Sequence, residues 1–377
     1  MGMYKSQIMG AAVMVLLLAG LGWAATEGPK TLAIGAKAPD FNLPGIDGKE
    51  HRLAEYDKAK VLVIVFTCNH CPTAQAYEER IKKLAADYRD KGVILVAISP
   101  NDPKAVRLDE LGYTDLSDSL EEMKIRAKDK SFNFPYLYDG DKQAVSRAYG
   151  PVATPHVFVF DAERKLRYAG RVDDNERDPS AAKSQDTRNA IEAVLAGKPA
   201  PVETTRTFGC SIKWSDKRDS AKQSMEKWAK EPVTLNAIDL EGVKKLVKND
   251  GKKLRLINVW ASWCGPCAQE FPDLVEINRM YRHREFEMVG ISADAGPDVK
   301  DRVQSFLVEN QASFTNYLFS GTDIYALIDA VDPKWEGAIP YTLIVKPGGE
   351  VLYRHLGMIE PLEVKKVIVG YIGRTYK

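Results

Sequence analysis

The strongest signal along the chain is a set of short, fully apolar, β-branched runs, each followed by apolar residues at helical spacing. The run "AKVLVIVFT" (59–67) reads as a strand buried on both faces. Tyr77, Ile81, Leu84, Ala85 and Tyr88 then recur as on one face of a helix. A second run, "LRLINVWASW" (254–263), is followed in the same way by Leu274, Ile277, Met280 and Tyr281. The strands "GVILVAIS" and "FEMVGIS" come next, ending at Ser99 and Ser292. Further on, "ATPHVFVFD" (153–161) and "AIPYTLIVKP" (338–347) are β-rich runs opened by a proline. Each leads through a turn into one more strand, within 162–172 and 348–357, and then a closing helix, 182–195 and 361–371.

The chain therefore contains the same unit twice: strand, helix, strand, helix, proline-opened strand, strand, helix. Alternating strands and helices predict an α/β fold, a central mixed β-sheet covered on both faces by helices, with an antiparallel final strand pair. At 377 residues, two domains are expected. We place them at 31–214 and 233–377, with a linker at 215–232 and a linker helix over Ser215–Lys230. The stretch Asp102–Lys130 is an insertion, either a lid or a surface loop.

Composition changes this picture little. Hydrophobic content of 45% and charged content of 28% belong to a globular protein, and a net charge of +1 argues against a nucleic-acid partner. The N-terminus differs. Lys5 precedes the apolar stretch Ile8–Ala25, which ends in small residues at Gly22-Trp23-Ala24 or Trp23-Ala24-Ala25. Residues 1–25 read as a signal peptide, or as a membrane anchor if uncleaved, the chain's one expected membrane contact. Either way the rest is expected on the exported, periplasmic side, where disulfides persist.

Candidate chemistry lies in the five cysteines: Cys68, Cys71, Cys210, Cys264 and Cys267. Four form two Cys-x-x-Cys pairs, each at a strand-to-helix turn. A cysteine in the first helical turn sits at the positive end of the helix dipole, which favours its thiolate. A second cysteine one turn on can close a disulfide and resolve a mixed one. Cys68 and Cys264 are read as attacking, Cys71 and Cys267 as resolving. Aligning the pairs puts Ser99 31 positions past Cys68 and Ser292 28 past Cys264 (99 − 68, 292 − 264). Thr154-Pro155 and Ile339-Pro340 are expected as cis peptides opposite the pairs, holding an extended substrate segment. His70 is expected to tune the Cys68 couple towards a more oxidising potential, and Trp263 to wall the second site. Cys210 is either a third redox cysteine or a structural thiol.

The second unit resembles the TlpA/ResA-like exported branch of the thioredoxin superfamily, through "WCGPC" (263–267), "QEFP" (269–272) and "IP" (339–340). The resemblance covers about 235–371, and it implies that Glu270 transfers protons to and from the thiols. The first unit, about 31–214, resembles the redoxin or peroxiredoxin-like families of the same superfamily. The residues are "APDFNLPGIDGKEHRL" (38–53), "FTCNHCP" (66–72), "TPHVFVFD" (154–161) and "GCSIKW" (209–214). In a true peroxiredoxin the peroxidatic cysteine falls at Cys71, with a threonine where this chain has Cys68. The dithiol reading is therefore favoured.

Together these imply two tandem thioredoxin-like folds. The implied function is exported thiol–disulfide exchange, in the direction of reducing disulfide-containing exported proteins with electrons from a membrane donor. No organic cofactor and no metal are expected, the redox-active disulfides Cys68–Cys71 and Cys264–Cys267 carrying the electrons. Two alternatives stay open: a thiol peroxidase whose second domain reduces the first, and a copper-binding chaperone at "CNHC", where His70 adds an imidazole to two thiolates.

Overall fold

A computed structural model of the chain describes residues 28–376; the expected signal peptide at 1–25 lies outside them. Among the described residues no helix is long and apolar enough to cross a membrane.

The first half opens with a small antiparallel hairpin, β1 (Asn42–Pro44) and β2 (Glu50–Arg52). The apolar run forms β3 (Val61–Phe66), every residue of which is buried, as expected of a central strand. Helix α1 (Pro72–Tyr88), β4 (Val93–Ser99), α2 (Leu120–Lys130), β5 (Tyr136–Tyr138) and α3 (Ala144–Tyr149) follow. The unit closes with β6 (His156–Phe160), β7 (Leu166–Gly170) and α4 (Asp186–Leu195). Its five-stranded sheet runs β5-β4-β3-β6-β7, parallel up to β3 and antiparallel from β6 on. Strand β5 was not foreseen, because "YLY" is too short to show a period.

Helix α5 (Arg218–Trp228) bridges the halves inside the expected linker helix. The second half adds an entry pair, β8 (Asn236–Ile238) and α6 (Leu240–Lys248), before the repeated order. Then come β9 (Leu254–Trp260), α7 (Gly265–Tyr281), β10 (Phe286–Ser292), α8 (Val299–Glu309), β11 (Thr315–Phe319) and α9 (Ile324–Val331). Strands β12 (Tyr341–Val345) and β13 (Val351–Leu356) and helix α10 (Pro361–Ile372) complete it. Its six strands are ordered β13-β12-β9-β10-β11-β8. Both halves have the thioredoxin-like layering, a mixed sheet between helices.

The registers correct the alignment of the two cysteine pairs. Phe66 of β3 faces Ile98 of β4 and His156 of β6. Val259 of β9 faces Ile291 of β10 and Tyr341 of β12. Phe66 and Val259 are thus equivalent, and five positions further on (71 − 66, 264 − 259) stand Cys71 and Cys264. The first pair is shifted by one helical turn towards the N-terminus, so Cys68 stands where the second half has Ala261.

The insertion 102–130 is neither lid nor idle loop. Its turn Leu108–Leu111 packs on α7, and Val106 and Leu111 join the same apolar core as Leu274, Ile277 and Tyr281. Tyr281 donates to the Thr114 carbonyl at 2.7 Å. The Arg284 guanidinium donates to the Gly112 carbonyl at 2.5 Å and lies 3.6 Å from the centre of the Tyr113 ring. Gly112 has to be glycine here, since a Cβ would come within 2.9 Å of the Met280 carbonyl.

Candidate active sites

The second site forms where β9 turns into α7. Cys264 caps the helix, and its Sγ accepts from the Cys267 amide at 3.2 Å. The two cysteines form a disulfide. The Cys264 sulfur faces the Ile339 carbonyl oxygen at 3.7 Å, just before the cis bond to Pro340. Cys267 is wholly buried, whereas Trp263 beside the disulfide is 69% exposed, so the site opens to solvent past an indole. Glu270, one turn after Cys267, is 1% exposed. Its carboxylate accepts from Asn258 Nδ2 and from the Ile359 amide, both at 2.9 Å. Burial outweighs these bonds and raises its pKa. Asn258, a partner that sequence reasoning missed, also donates to Thr342 Oγ1 at 3.0 Å.

The first site has the same frame and different contents. Cys71, not Cys68, caps α1: its Sγ accepts from the Ala74 amide at 3.4 Å, and Pro72 opens the helix. The Cys71 sulfur also lies 3.2 Å from the Thr154 carbonyl oxygen, just before the cis bond to Pro155. Cys68 sits in the preceding loop, its Sγ 3.1 Å from Thr154 Oγ1. Both are free thiols, Cys71 wholly buried and Cys68 3% exposed.

Cys210 belongs to this site. Its amide donates to Cys71 Sγ at 3.3 Å, its side chain packs on Cys68, Cys71 and Ala74, and its backbone bridges Thr154 in antiparallel register. Thr154 N donates to the Cys210 carbonyl at 3.0 Å. The expected substrate-holding edge at Thr154-Pro155 therefore holds the chain's own segment.

His70 turns towards a residue that sequence reasoning missed. Its Nδ1 is 2.5 Å from Asp118 Oδ2, and both side chains are buried. Asp118 also accepts from the amides of Asn69 and His70, at 2.8 and 3.2 Å, and from Asn101 Nδ2 at 2.8 Å. One buried carboxylate thus fixes the whole "NH" turn between the cysteines. It lies just ahead of the Ser119 capping box of α2, a visible helix start that gave no hint of a site contact.

The electrostatics favour the thiolate on Cys71 rather than on Cys68. Burial opposes charge on Cys71. Hydrogen bonds from the Cys210 and Cys68 thiols, the positive His70 ring and the Ala74 amide outweigh it and hold its pKa well below that of a free thiol. For Cys68, burial, its hydrogen bond to Cys71 and the Asp118 charge all push the pKa up. His70 is favoured in its charged form, the Asp118 carboxylate overcoming the cost of burial. Asp118 stays ionised for the reciprocal reason, again against burial.

Cys68 Sγ, a His70 ring nitrogen and an Asp118 oxygen lie within 4.8 Å of one another, a spacing compatible with a cation. The Asp118 oxygens, however, already accept four hydrogen bonds.

A family model described as the AhpC/TSA family matches residues 34–169 and again 229–354. The thiol-disulfide oxidoreductase ResA of Geobacillus thermodenitrificans is 27% identical over 165 residues, 42% of this chain and 84% of that protein. The thiol:disulfide interchange protein HelX of Rhodobacter capsulatus is 28% identical over 188 residues, 49% of this chain and 82% of that one. Among solved structures, a hypothetical protein of Sinorhizobium meliloti, SMc02350, is 35% identical, covering 49% of this chain and 97% of its own, with a TM-score of 0.43. With both of its halves matched by one family model, the chain belongs to the AhpC/TSA family, within the thioredoxin superfamily.

Proposed function

We propose that the chain is an exported thiol–disulfide oxidoreductase with two dithiol centres, Cys68/Cys71 in a domain at 31–214 and Cys264/Cys267 in one at 233–377. The observation that carries the reading is the shared frame: a cysteine caps a helix and faces the carbonyl ahead of a cis-proline, at Cys71–Thr154 and at Cys264–Ile339. That frame gives a thiolate, a resolving partner within reach and a main-chain edge for an extended substrate. The relatives named ResA and HelX support the same chemistry.

In this reading Cys264 attacks a substrate disulfide past Trp263. Cys267 resolves the mixed disulfide, and buried Glu270 exchanges the proton that Cys267 loses. Ile339 and Pro340 line the substrate edge. In the first centre Cys71 is the nucleophile, Cys68 its partner, Thr154 and Pro155 the matching edge, and His70 the cation favouring the thiolate. The dithiols carry the electrons without a further cofactor. The substrates are disulfide-containing exported proteins, with a membrane electron donor upstream.

The test is reduction of a protein disulfide by the full chain and its cysteine variants. Loss of turnover in Cys264→Ser is expected; undiminished turnover in that variant would sink the reading. A second reading, thiol peroxidase, draws on the thiolate favoured at Cys71 in a family matched over 34–169. Peroxide consumption abolished in Cys71→Ser, with no disulfide reduction by the native chain, would select it.

A further inference from the structure

The two substrate edges differ in one respect. Among the described residues, no segment bridges Ile339 in the second half. In the first half Thr154 is bridged by Cys210. The covering segment is tied down along its whole length. Thr205 N donates to the Ala169 carbonyl at 3.2 Å, alongside the free edge of β7. Phe208 stacks on Tyr77 of α1 at 6.4 Å. The Lys213 amide donates to Asn101 Oδ1 at 2.9 Å, its carbonyl accepts from Asp102 N at 2.9 Å and Gln143 Nε2 at 2.8 Å, and its ammonium pairs with Glu110 at 2.5 Å.

Gly209 shows how closely the segment approaches. Its φ is +140°, and a Cβ there would fall 2.0 Å from the Thr154 carbonyl oxygen. Backbone meets backbone with no space for a side chain, as when an added strand docks on an open edge. The tail of the second half closes the arrangement. Arg374 pairs with Asp115 at 2.5 Å, the Tyr376 ring sits edge-on to Tyr113 at 4.9 Å, and the Tyr376 hydroxyl lies beside the Cys210 thiol.

We propose that Thr207–Ile212 is a built-in substrate strand, that Cys210 is the immediate thiol partner of Cys71, and that Arg374–Tyr376 hold it in place. This rests on the oxidoreductase reading, which supplies the Cys68–Cys71 disulfide. Cys210 sulfur attacks Cys71 Sγ; the Cys71–Cys68 bond breaks and the Cys71–Cys210 bond forms. Cys68 leaves as thiolate and takes up the proton that Cys210 gives up, with the Thr154 hydroxyl 3.1 Å from Cys68 Sγ to stabilise it. One disulfide and one thiol stand on each side, so no outside oxidant is consumed. The first centre thus exchanges with its own chain, and an outside polypeptide gains that edge only when 207–212 leaves.

The experiment equilibrates the full chain in thiol/disulfide buffers, quenches with acid, alkylates, and maps disulfides by peptide mass spectrometry. Cys71–Cys210 is expected to be the main first-half disulfide. Gly209→Val, which replaces no cysteine, should shift the population to Cys68–Cys71 and speed alkylation of Cys210 in the reduced chain roughly tenfold, because access limits it. A first half that forms only Cys68–Cys71, with Cys210 alkylated equally fast in both chains, overturns the inference and leaves the oxidoreductase reading standing. No first-half disulfide at any potential, while Cys264–Cys267 titrates, overturns the inference together with the dithiol role of the first centre.

Discussion

Cys71 and Cys264 occupy the same place in the two halves: each caps its helix, five residues beyond the equivalent strand positions Phe66 and Val259. Cys68 and Cys267 are not equivalent. They approach that place from opposite sides, Cys68 from the loop before the helix and Cys267 from the first turn within it. The two centres share a nucleophile position and differ in where the second sulfur stands.

The reduced chain should carry its most reactive buried thiolate on Cys71. His70 supplies part of that preference and Asp118 keeps His70 charged. Asp118→Asn is expected to let His70 go neutral and so raise the Cys71 pKa. Each unit of that rise, about 1.4 kcal/mol, moves the midpoint of thiolate formation up by about one pH unit. A pH series of thiolate absorbance in a chain retaining only the first-half cysteines measures this. An unchanged midpoint would show that His70 does not act on Cys71.

The first couple should be the more oxidising. A favoured thiolate stabilises the dithiol over the disulfide. Redox titration with each cysteine read by mass spectrometry is expected to separate the first-half couple from Cys264/Cys267 by at least about 30 mV, equivalent to about 1.4 kcal/mol for two electrons. Coincident potentials would refute this.

Glu270 imposes a pH dependence of known sign. Its folded pKa lies above the ordinary glutamate value. The neutral carboxyl therefore contributes stability that is complete below about pH 4 and lost as pH climbs through the folded pKa. Glu270→Gln is locked neutral, so its melting temperature should gain on the native chain between about pH 4 and pH 7. Parallel melting curves across that range would contradict the assignment.

Arg284 ties the second half to the first through the Gly112 carbonyl and the Tyr113 ring, and to its own tail through the carbonyls of Ile372 and Gly373 at 2.9 and 3.2 Å. Arg284→Ala should cost about 1–3 kcal/mol in denaturant unfolding, because it strips partners from buried carbonyls. It should also raise amide exchange in residues 374–376. Loss of stability without that exchange would separate the anchor from the tail.

Much of this was legible in the chain. The fully apolar runs that became β3 and β9 and the helical faces of α1 and α7 stand out because a buried central strand and an amphipathic helix leave strong patterns. The three-residue shift was also visible: Ser99 lies 28 positions past Cys71, the same interval as Ser292 past Cys264 (99 − 71, 292 − 264), and Tyr88 and Tyr281 each lie 17 past (88 − 71, 281 − 264). Matching cysteine pair to cysteine pair hid it, because an identical motif is a stronger lure than a spacing. Asp118, Asn258 and the covering segment at Cys210 were illegible for another reason. Each acts through a contact made across the fold, and neither local propensity nor periodicity encodes such contacts.

The insertion carries two loads on one short length of chain. Leu108–Thr114 is clasped by the second half, and four residues past Thr114 Asp118 holds the turn between the cysteines. Docking and ionisation are then linked quantities. Whatever free energy the seated second half lends to the Cys71 thiolate, formation of that thiolate must return to the seating. A change of redox state in the first centre would be felt as a change in how tightly the two halves clasp.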